Sequence, residues 1–196
     1  MKKLFLPMFF TLAVLTSFAQ AKSDSSKHLS FKGIPINGTL AEYVSKMKTS
    51  GFTHKSTKDG VEILEGDFAA YKNCVVGVST LKQKDLVNKI TVMFPDRETW
   101  SSLSSNYFDL KNLLTEKYGK PSESEEEFQS YTPDDDGSKM SQVKLGACKY
   151  ITTYETEKGT IQLSIENNRI IHCFVKLAYF DKLNSETVKK QALEDL

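Results

Sequence analysis

The residues with the clearest capacity for chemistry form an acidic segment in the second half of the chain. Glutamates occupy positions 125–127 and aspartates occupy 134–136, followed by Gly137. Clustered carboxylates beside a glycine are typical of calcium loops. An EF-hand register that places Gly137 at its sixth position puts Val143 at the twelfth, where a bidentate glutamate is required. The spacing therefore favours a solvated loop over a calcium site.

The cysteines and histidines do not form a familiar catalytic or metal-binding motif. Cys74, Cys148 and Cys173 lie in apolar, strand-like runs, as is typical of thiols buried as small hydrophobic groups. Only Cys173 has an adjacent base, His172, and neighbouring residues of a strand point to opposite faces. The histidines lack zinc-site spacing, and the sequence has no phosphate-binding glycine loop and no nucleophile elbow. We expect no cofactor and no metal. The alternative is an enzyme, possibly a hydrolase, whose site is assembled from distant residues.

A second group of candidates consists of polar and aromatic residues that alternate with other residues along two late strand-like runs. In a layer of helices on a sheet, one face of the sheet stays open to solvent or to a partner. Exposed aromatic side chains on such a face are large, rigid binding anchors. The predicted binding patch comprises Tyr150, Tyr154, His172, Phe174 and Lys176. The alternative is that the loop 130–146 or the terminal helix covers this face.

Two amphipathic helices are expected to support these strands. Thr39 and Glu42 have the spacing of a capping box, and Gly51 ends the first helix. The second helix begins near Thr99 and ends at a Gly-Lys-Pro sequence, 119–121. Its apolar stripe is typical of core packing against a sheet and consists of Trp100, Leu103, Tyr107, Leu110 and Leu114.

Four strand-like runs follow each helix, and the two halves of the chain match each other. At a shift of 85 residues, Val92 falls on Leu177 and Phe94 falls on Tyr179, with no gap across 68–96. The predicted strands are 52–57, 61–71, 74–81, 87–94, 123–129, 147–155, 160–166 and 170–180, with a tight hairpin at Asn167-Asn168. An internal repeat is a strong architectural signal. We predict an α+β fold of two tandem repeats, each a helix with a four-stranded antiparallel sheet.

The N-terminal 21 residues read as an export signal. Lys2 and Lys3 precede an apolar stretch over 4–18, and Ala19-Gln20-Ala21 has the small-x-small pattern of a cleavage site. An apolar stretch of this length is too short to span a bilayer as a helix. We expect cleavage after Ala21 and a periplasmic or extracellular protein.

The predicted domains follow from these elements. They are a signal peptide (1–21), a disordered linker (22–30), repeat 1 (31–96), repeat 2 (97–183) with the inserted loop 130–146, and a C-terminal helix (184–196).

The charge balance gives no reason to expect a nucleic acid or an anionic membrane as a partner. The chain has a formal net charge of +1, and removal of Lys2 and Lys3 changes it to −1. A near-neutral protein has no global electrostatic attraction to nucleic acid or to an anionic membrane. We expect neither nucleic-acid binding nor a membrane-spanning segment. Three cysteines cannot all pair within one chain, so the disulfide pairing and the oligomeric state stay open.

The turns and caps of this layout resemble those of secreted bacterial proteins with a β-lactamase-inhibitor-protein-like fold. The resemblance covers 31–181 and depends on three motifs: Gly33-x-Pro35-Ile36-Asn37-Gly38, Gly51-Phe52, and Lys117-Tyr118-Gly119-Lys120-Pro121. It implies a tandem-repeat fold that binds a protein through a concave sheet face. This sequence departs from the family's pattern in lacking a short disulfide loop in each repeat, and no inhibitory residue carries over.

We therefore predict a secreted or periplasmic, non-catalytic binding module that recognises a protein or an envelope component through the open sheet face. The alternatives are the enzyme described above and a scaffold for envelope assembly.

Overall fold

The computed structural model describes residues 27–81, 84–129, 131–168 and 171–194. The described residues form four helices and ten strands. The helices are α1 (Leu40–Thr49), α2 (Trp100–Tyr118), α3 (Asp136–Lys144) and α4 (Lys182–Glu194). The strands are β1 (Ser30–Phe31), β2 (Ile34–Pro35), β3 (Thr53–Lys58), β4 (Val61–Phe68), β5 (Tyr71–Leu81), β6 (Lys84–Met93), β7 (Glu123–Phe128), β8 (Cys148–Thr156), β9 (Gly159–Asn168) and β10 (His172–Asp181).

Eight of these strands form one antiparallel sheet, which confirms the α+β class. Their order is β3-β4-β5-β6-β10-β9-β8-β7, and the short β1 and β2 form a separate pair. Each of the helices α1 and α2 is followed along the chain by four strands of this sheet. The strands β6 and β10, which end these two series, lie side by side at the centre of the sheet.

The first helix begins where its capping chemistry predicts. The Thr39 hydroxyl accepts a hydrogen bond from the Glu42 backbone N–H at 3.3 Å, and the Glu42 carboxylate accepts one from the Thr39 N–H at 3.1 Å. A third capping bond comes from the Asp85 carboxylate, which accepts from the Leu40 N–H at 2.8 Å. These bonds satisfy backbone donors that the first turn of a helix leaves unpaired. Gly51 follows with φ 92°, the left-handed conformation that ends a helix.

The core lies between the sheet and the helices. The predicted stripe of α2 is largely confirmed, since Leu103, Tyr107, Leu110 and Leu114 are buried and Trp100 is partly buried. The strand residues opposite include Val92 and Leu177, which are cross-strand neighbours in β6 and β10. Burial of this apolar surface is the main stabilising contribution to the fold.

The prediction of a solvated loop at 130–146 is wrong for most of its length, because residues 136–144 form α3. The Asp135 carboxylate accepts from the Ser138 N–H at 2.9 Å and so caps α3. Asp136 accepts from the backbone N–H groups of Trp100 and Ser101 at 3.0 and 2.6 Å, and so caps α2. The two carboxylates are used at helix N-termini, where negative charge is stabilised.

The predicted pairing of the last two strands as an antiparallel hairpin is confirmed, but its turn does not lie at Asn167-Asn168. Asn168 belongs to β9 and pairs with His172, while Asn167 pairs with Cys173. The Asn167 side-chain amide donates to the Val143 carbonyl oxygen at 2.6 Å. Asn167 therefore holds α3 against the sheet and does not form a turn.

The predicted gap-free alignment of the two halves is wrong by two residues where β5 is aligned with β9. In the first half Val76 pairs with Val92, whereas in the second half Leu177 pairs with Leu163. If Val92 corresponds to Leu177, Val76 corresponds to Leu163 and not to Ile161. A two-residue offset keeps every side chain on the same face of a strand, so the apolar pattern could not reveal it.

The predicted disordered linker 22–30 is wrong for its last residues. His28 and Leu29 are buried, and Ser30 begins β1. The buried Asp181 carboxylate, at the end of β10, accepts hydrogen bonds from the His28 ring at 3.0 Å and from the Leu29 N–H at 2.9 Å. Residues 1–26, which include the predicted signal peptide and cleavage site, lie outside the described residues.

Candidate functional site

The two faces of the eight-stranded sheet differ in what covers them. The helix face carries the buried side chains, among them Val76, Val92 and Leu177, against which α1, α2 and α3 pack. The open face carries the residues that alternate with them. In the central strands β6 and β10 it includes Lys89, Thr91, Met93, His172, Phe174, Lys176, Ala178 and Phe180.

The terminal helix stands at one end of the open face. The first turn of α4 lies beside the end of β10, where Ser185 and Glu186 share a shallow cleft with Phe180 and Thr160. Farther along α4, the described side chains are exposed to solvent. The backbone of α4 also approaches the strands β6, β9 and β10.

The prediction that Tyr150 lies on the open face is wrong, because Tyr150 lies on the helix face. Its ring packs in a cluster under α2, with ring centroids 5.1 Å from Trp100, 5.7 Å from Tyr107 and 5.9 Å from Phe128. Edge-to-face contacts of this kind stabilise a core beyond the area that they bury. Tyr150 is therefore a packing residue.

Tyr154 is placed on the helix face as well and is 1% exposed. Its hydroxyl donates to the Lys111 carbonyl oxygen at 3.0 Å and lies 2.9 Å from the Thr115 hydroxyl, both on α2. The prediction failed because both alternating sets of β8 are mixed in polarity. A shift by one residue exchanges the faces, and only pairing with the apolar β9 fixes them.

His172, Phe174 and Lys176 do lie on the open face, beside one another along β10. His172 is paired with Asp96, and its side chain is 56% exposed. The Lys176 ammonium is 2.5 Å from the Glu166 carboxylate and stays 30% exposed. That these three residues bind a ligand stays a prediction.

Lys89 and Phe180 are open-face residues that the sequence patterns did not single out. The Lys89 ammonium lies 4.9 Å from the centroid of the Phe180 ring, at cation–π distance. Partial burial lowers the pKa of Lys89, and the nearby Lys176 ammonium lowers it further. Within the described part of the chain, no carboxylate lies within 4.0 Å of the Lys89 ammonium. The sequence did place Lys89 on the open face, because apolar and polar residues alternate along β6. A lysine on a sheet face is usually only solvated, so this pattern alone did not indicate a binding residue.

Between these lysines the face has a floor of small side chains. Gly77, Thr91 and Ala178 are neighbours across three adjacent strands. Lys89 and Phe180 form the next cross-strand row on one side, and Met93 and Lys176 form it on the other. Longer side chains flank this short floor across β6 and β10; Gly77 and Ala178 in the floor are buried, and Thr91 is partly exposed. We call this region the central slot.

A separate groove of about 640 Å³ lies between α1 and the outer strands β3 and β4. His54 Nε2 is 2.5 Å from a Glu62 carboxylate oxygen, and the Thr57 hydroxyl is 3.0 Å from both oxygens of that carboxylate. Ser45 and Lys48 line the opposite wall. In the tautomer whose Nε2–H donates to Glu62, Nδ1 has no proton and can accept one, as the histidine of a hydrolytic site does.

A third, shallow depression lies where β6 leads into α2. It is lined by Asp96, Arg97, Asn106 and Asp109, among others. Asn106 is buried, and its carbonyl oxygen accepts from the Arg97 guanidinium at 3.1 Å. This contact holds the segment that joins strand and helix, while the buried Asn106 amide nitrogen has no hydrogen-bond partner among the described residues.

The cysteines are unsuited to nucleophilic chemistry. Burial raises the pKa of the Cys74 thiol to about 11 and that of Cys148 to about 12, and it also raises the pKa of Cys173. Thiols in this state are protonated and unreactive at neutral pH. In the described ranges, no group of three or more His, Cys, Asp or Glu side chains is arranged to hold a metal ion.

Comparisons with known proteins give no match, so the functional argument depends on the site. No family model, curated protein or solved structure matches the chain. No helix within the described ranges is long and apolar enough to cross a membrane.

Proposed function

We propose that this chain is an exported, non-catalytic binding module that recognises a protein or an envelope component through the open face. The observation that carries the proposal is the central slot with its flanking aromatic and basic side chains. Apolar and aromatic residues there, such as Met93, Phe174 and Phe180, stay partly exposed although they lie on central strands. Exposed apolar area in the middle of a sheet is characteristic of an interaction surface.

Export and the repeat architecture belong to the same proposal. The charged start, apolar stretch and Ala19-Gln20-Ala21 motif support export. The recurrence of a helix followed by four antiparallel strands supports two tandem repeats, with the β-lactamase-inhibitor-protein-like family as the proposed relative. A module of this kind would present the open face to its partner while the helices support the sheet from behind.

The test is site-specific photocrosslinking with the full chain expressed in a bacterial host. A photoreactive amino acid replaces Phe174 on the open face or, as a matched control, Leu113 on the helix side, which is 53% exposed. We expect one discrete, identifiable adduct from position 174 and none from position 113. Adducts from position 113 alone, or from neither position, would contradict binding through the open face.

The groove beside α1 favours hydrolysis as a second candidate function. The specific observation is the His54–Glu62 pair at 2.5 Å next to a serine-bearing wall. The test is hydrolysis of p-nitrophenyl esters by the wild-type chain and by His54→Ala, with His172→Ala as the control. This candidate requires activity that is lost in His54→Ala and kept in His172→Ala. A wild-type rate equal to that of buffer would eliminate it for such esters.

A further inference from the structure

The central slot has an electrostatic property that indicates which partner it accepts. Lys89 and Lys176 carry like charges on neighbouring strands, four residue positions apart along the strands, with the Thr91–Ala178 row between them. Lys176 has Glu166 as a counter-ion, whereas Lys89 has the ring of Phe180. The lowered pKa of Lys89 reflects both its loss of water contacts and repulsion from Lys176. The free protein therefore leaves a partly desolvated cation without a neutralising carboxylate among the described residues.

The side chains between the two lysine-bearing rows are short, and Thr91 stays partly exposed, whereas Ala178 is buried. Thr91 and Ala178 lie between the two lysine-bearing rows, and neither side chain extends as far as a lysine. An anionic group above them would interact with both ammonium groups, and the Thr91 hydroxyl could donate a hydrogen bond to it. The aromatic rings of Phe174 and Phe180 flank this position on β10 and offer apolar contact.

We propose that the central slot binds an aspartate or glutamate side chain, flanked by an apolar residue, from an extended segment of a partner protein. This inference rests on the proposed function and adds the chemistry of the partner. The carboxylate lies between the ammonium groups of Lys89 and Lys176, and the apolar neighbour packs on Phe174 or Phe180. Charge pairs of this kind contribute mainly to specificity and to the rate of association.

The distribution of charge around the slot favours a protein over a membrane surface. Glu65 on β4, Glu125 on β7 and Glu166 on β9 lie on the same face as the lysines, and each is paired with a lysine: Lys55, Lys149 and Lys176, in that order. These pairs carry no net charge, so they give an extended anionic surface little attraction, whereas a single carboxylate can pair with Lys89. The formal charge of the whole chain, +1, gives no further attraction to a polyanion.

The experiment selects binders from a displayed random short-peptide library with the full chain after export. The best isolate is then compared with its Glu→Gln or Asp→Asn version by fluorescence anisotropy. The test variants are Lys89→Gln and Lys176→Gln. The matched control is Lys117→Gln on the helix side, because Lys117 also lies over an aromatic ring, Tyr118, at 5.0 Å.

We expect selected peptides to contain an acidic residue beside an apolar one. Affinity should fall at least about tenfold in each test variant and on neutralising the peptide, and stay unchanged in Lys117→Gln. Selection of neutral or basic peptides that need Phe174 would overturn the carboxylate assignment and leave the proposed function standing. Binding to phosphatidylglycerol vesicles without any peptide selected would overturn it in favour of a lipid. No selected peptide together with no adduct from position 174 would remove both proposals.

Discussion

The buried carboxylate of Asp181 provides the sharpest test of how the ends of the chain are held. Asp181 is fully buried and lies 3.0 Å from the ring of His28, which is 2% exposed. It also accepts from the backbone N–H groups of Leu29 and Asn184, both at 2.9 Å. One side chain thus connects the N-terminal segment, the end of β10 and the first turn of α4.

Asp181→Ala should therefore be strongly destabilising. The substitution leaves a buried imidazole and two buried backbone donors without an acceptor. Removal of one partner from a buried, hydrogen-bonded pair costs about 3–5 kcal/mol, mostly because the groups left behind stay unpaired. The exposed counterpart gives the contrast, since the Asp96–His172 pair is about half exposed on both sides and Asp96→Ala should cost less than about 1 kcal/mol.

The assay is urea denaturation of both variants, together with amide hydrogen exchange. We expect Asp181→Ala to lower the midpoint with little change in the slope, and the Leu29 and Asn184 amides to lose protection. Asp96→Ala should leave both measurements close to the wild type. Equal losses in the two variants, or a loss below about 1 kcal/mol for Asp181→Ala, would refute the argument from burial.

The remaining predictions concern the two faces, the helix stripe and the thiols. Tyr150→Ala should cost about 2–4 kcal/mol in urea denaturation because Tyr150 packs under α2, whereas Phe174→Ala on the open face should cost less than about 1 kcal/mol; the reverse order would exchange the faces. Leu110→Ala, at a site 2% exposed, should cost about 2–5 kcal/mol, and a loss below about 0.5 kcal/mol would show that α2 is not packed on the core. At pH 8, far below the raised pKa values of about 11 and about 12 for Cys74 and Cys148, the folded protein should react slowly with Ellman's reagent. All the thiols should react promptly in urea, and rapid reaction of the folded chain would contradict their burial.

What the sequence determined by itself is the set of elements whose signals are local. The capping box at Thr39, the Gly stop at residue 51 and the apolar stripe of α2 each act within a few residues, and each is found as predicted. The position of β10, and the faces of its residues, also followed from its regular alternation. Lys176 was placed correctly for this reason, since its strand has one plainly apolar side.

Only the tertiary structure decided features that depend on pairing between distant residues. The face of Tyr150 depends on the register of β8 against β9, and a slip of one residue exchanges the two sides. Asp136 caps α2 only because the start of that helix lies next to it in space, whereas Asp135 caps α3 through a local bond to Ser138. The lysines at 89 and 176 are far apart in sequence, and the slot between them exists because β6 and β10 pair at the centre of the sheet. Such contacts depend on the fold as a whole, so no local pattern could specify them.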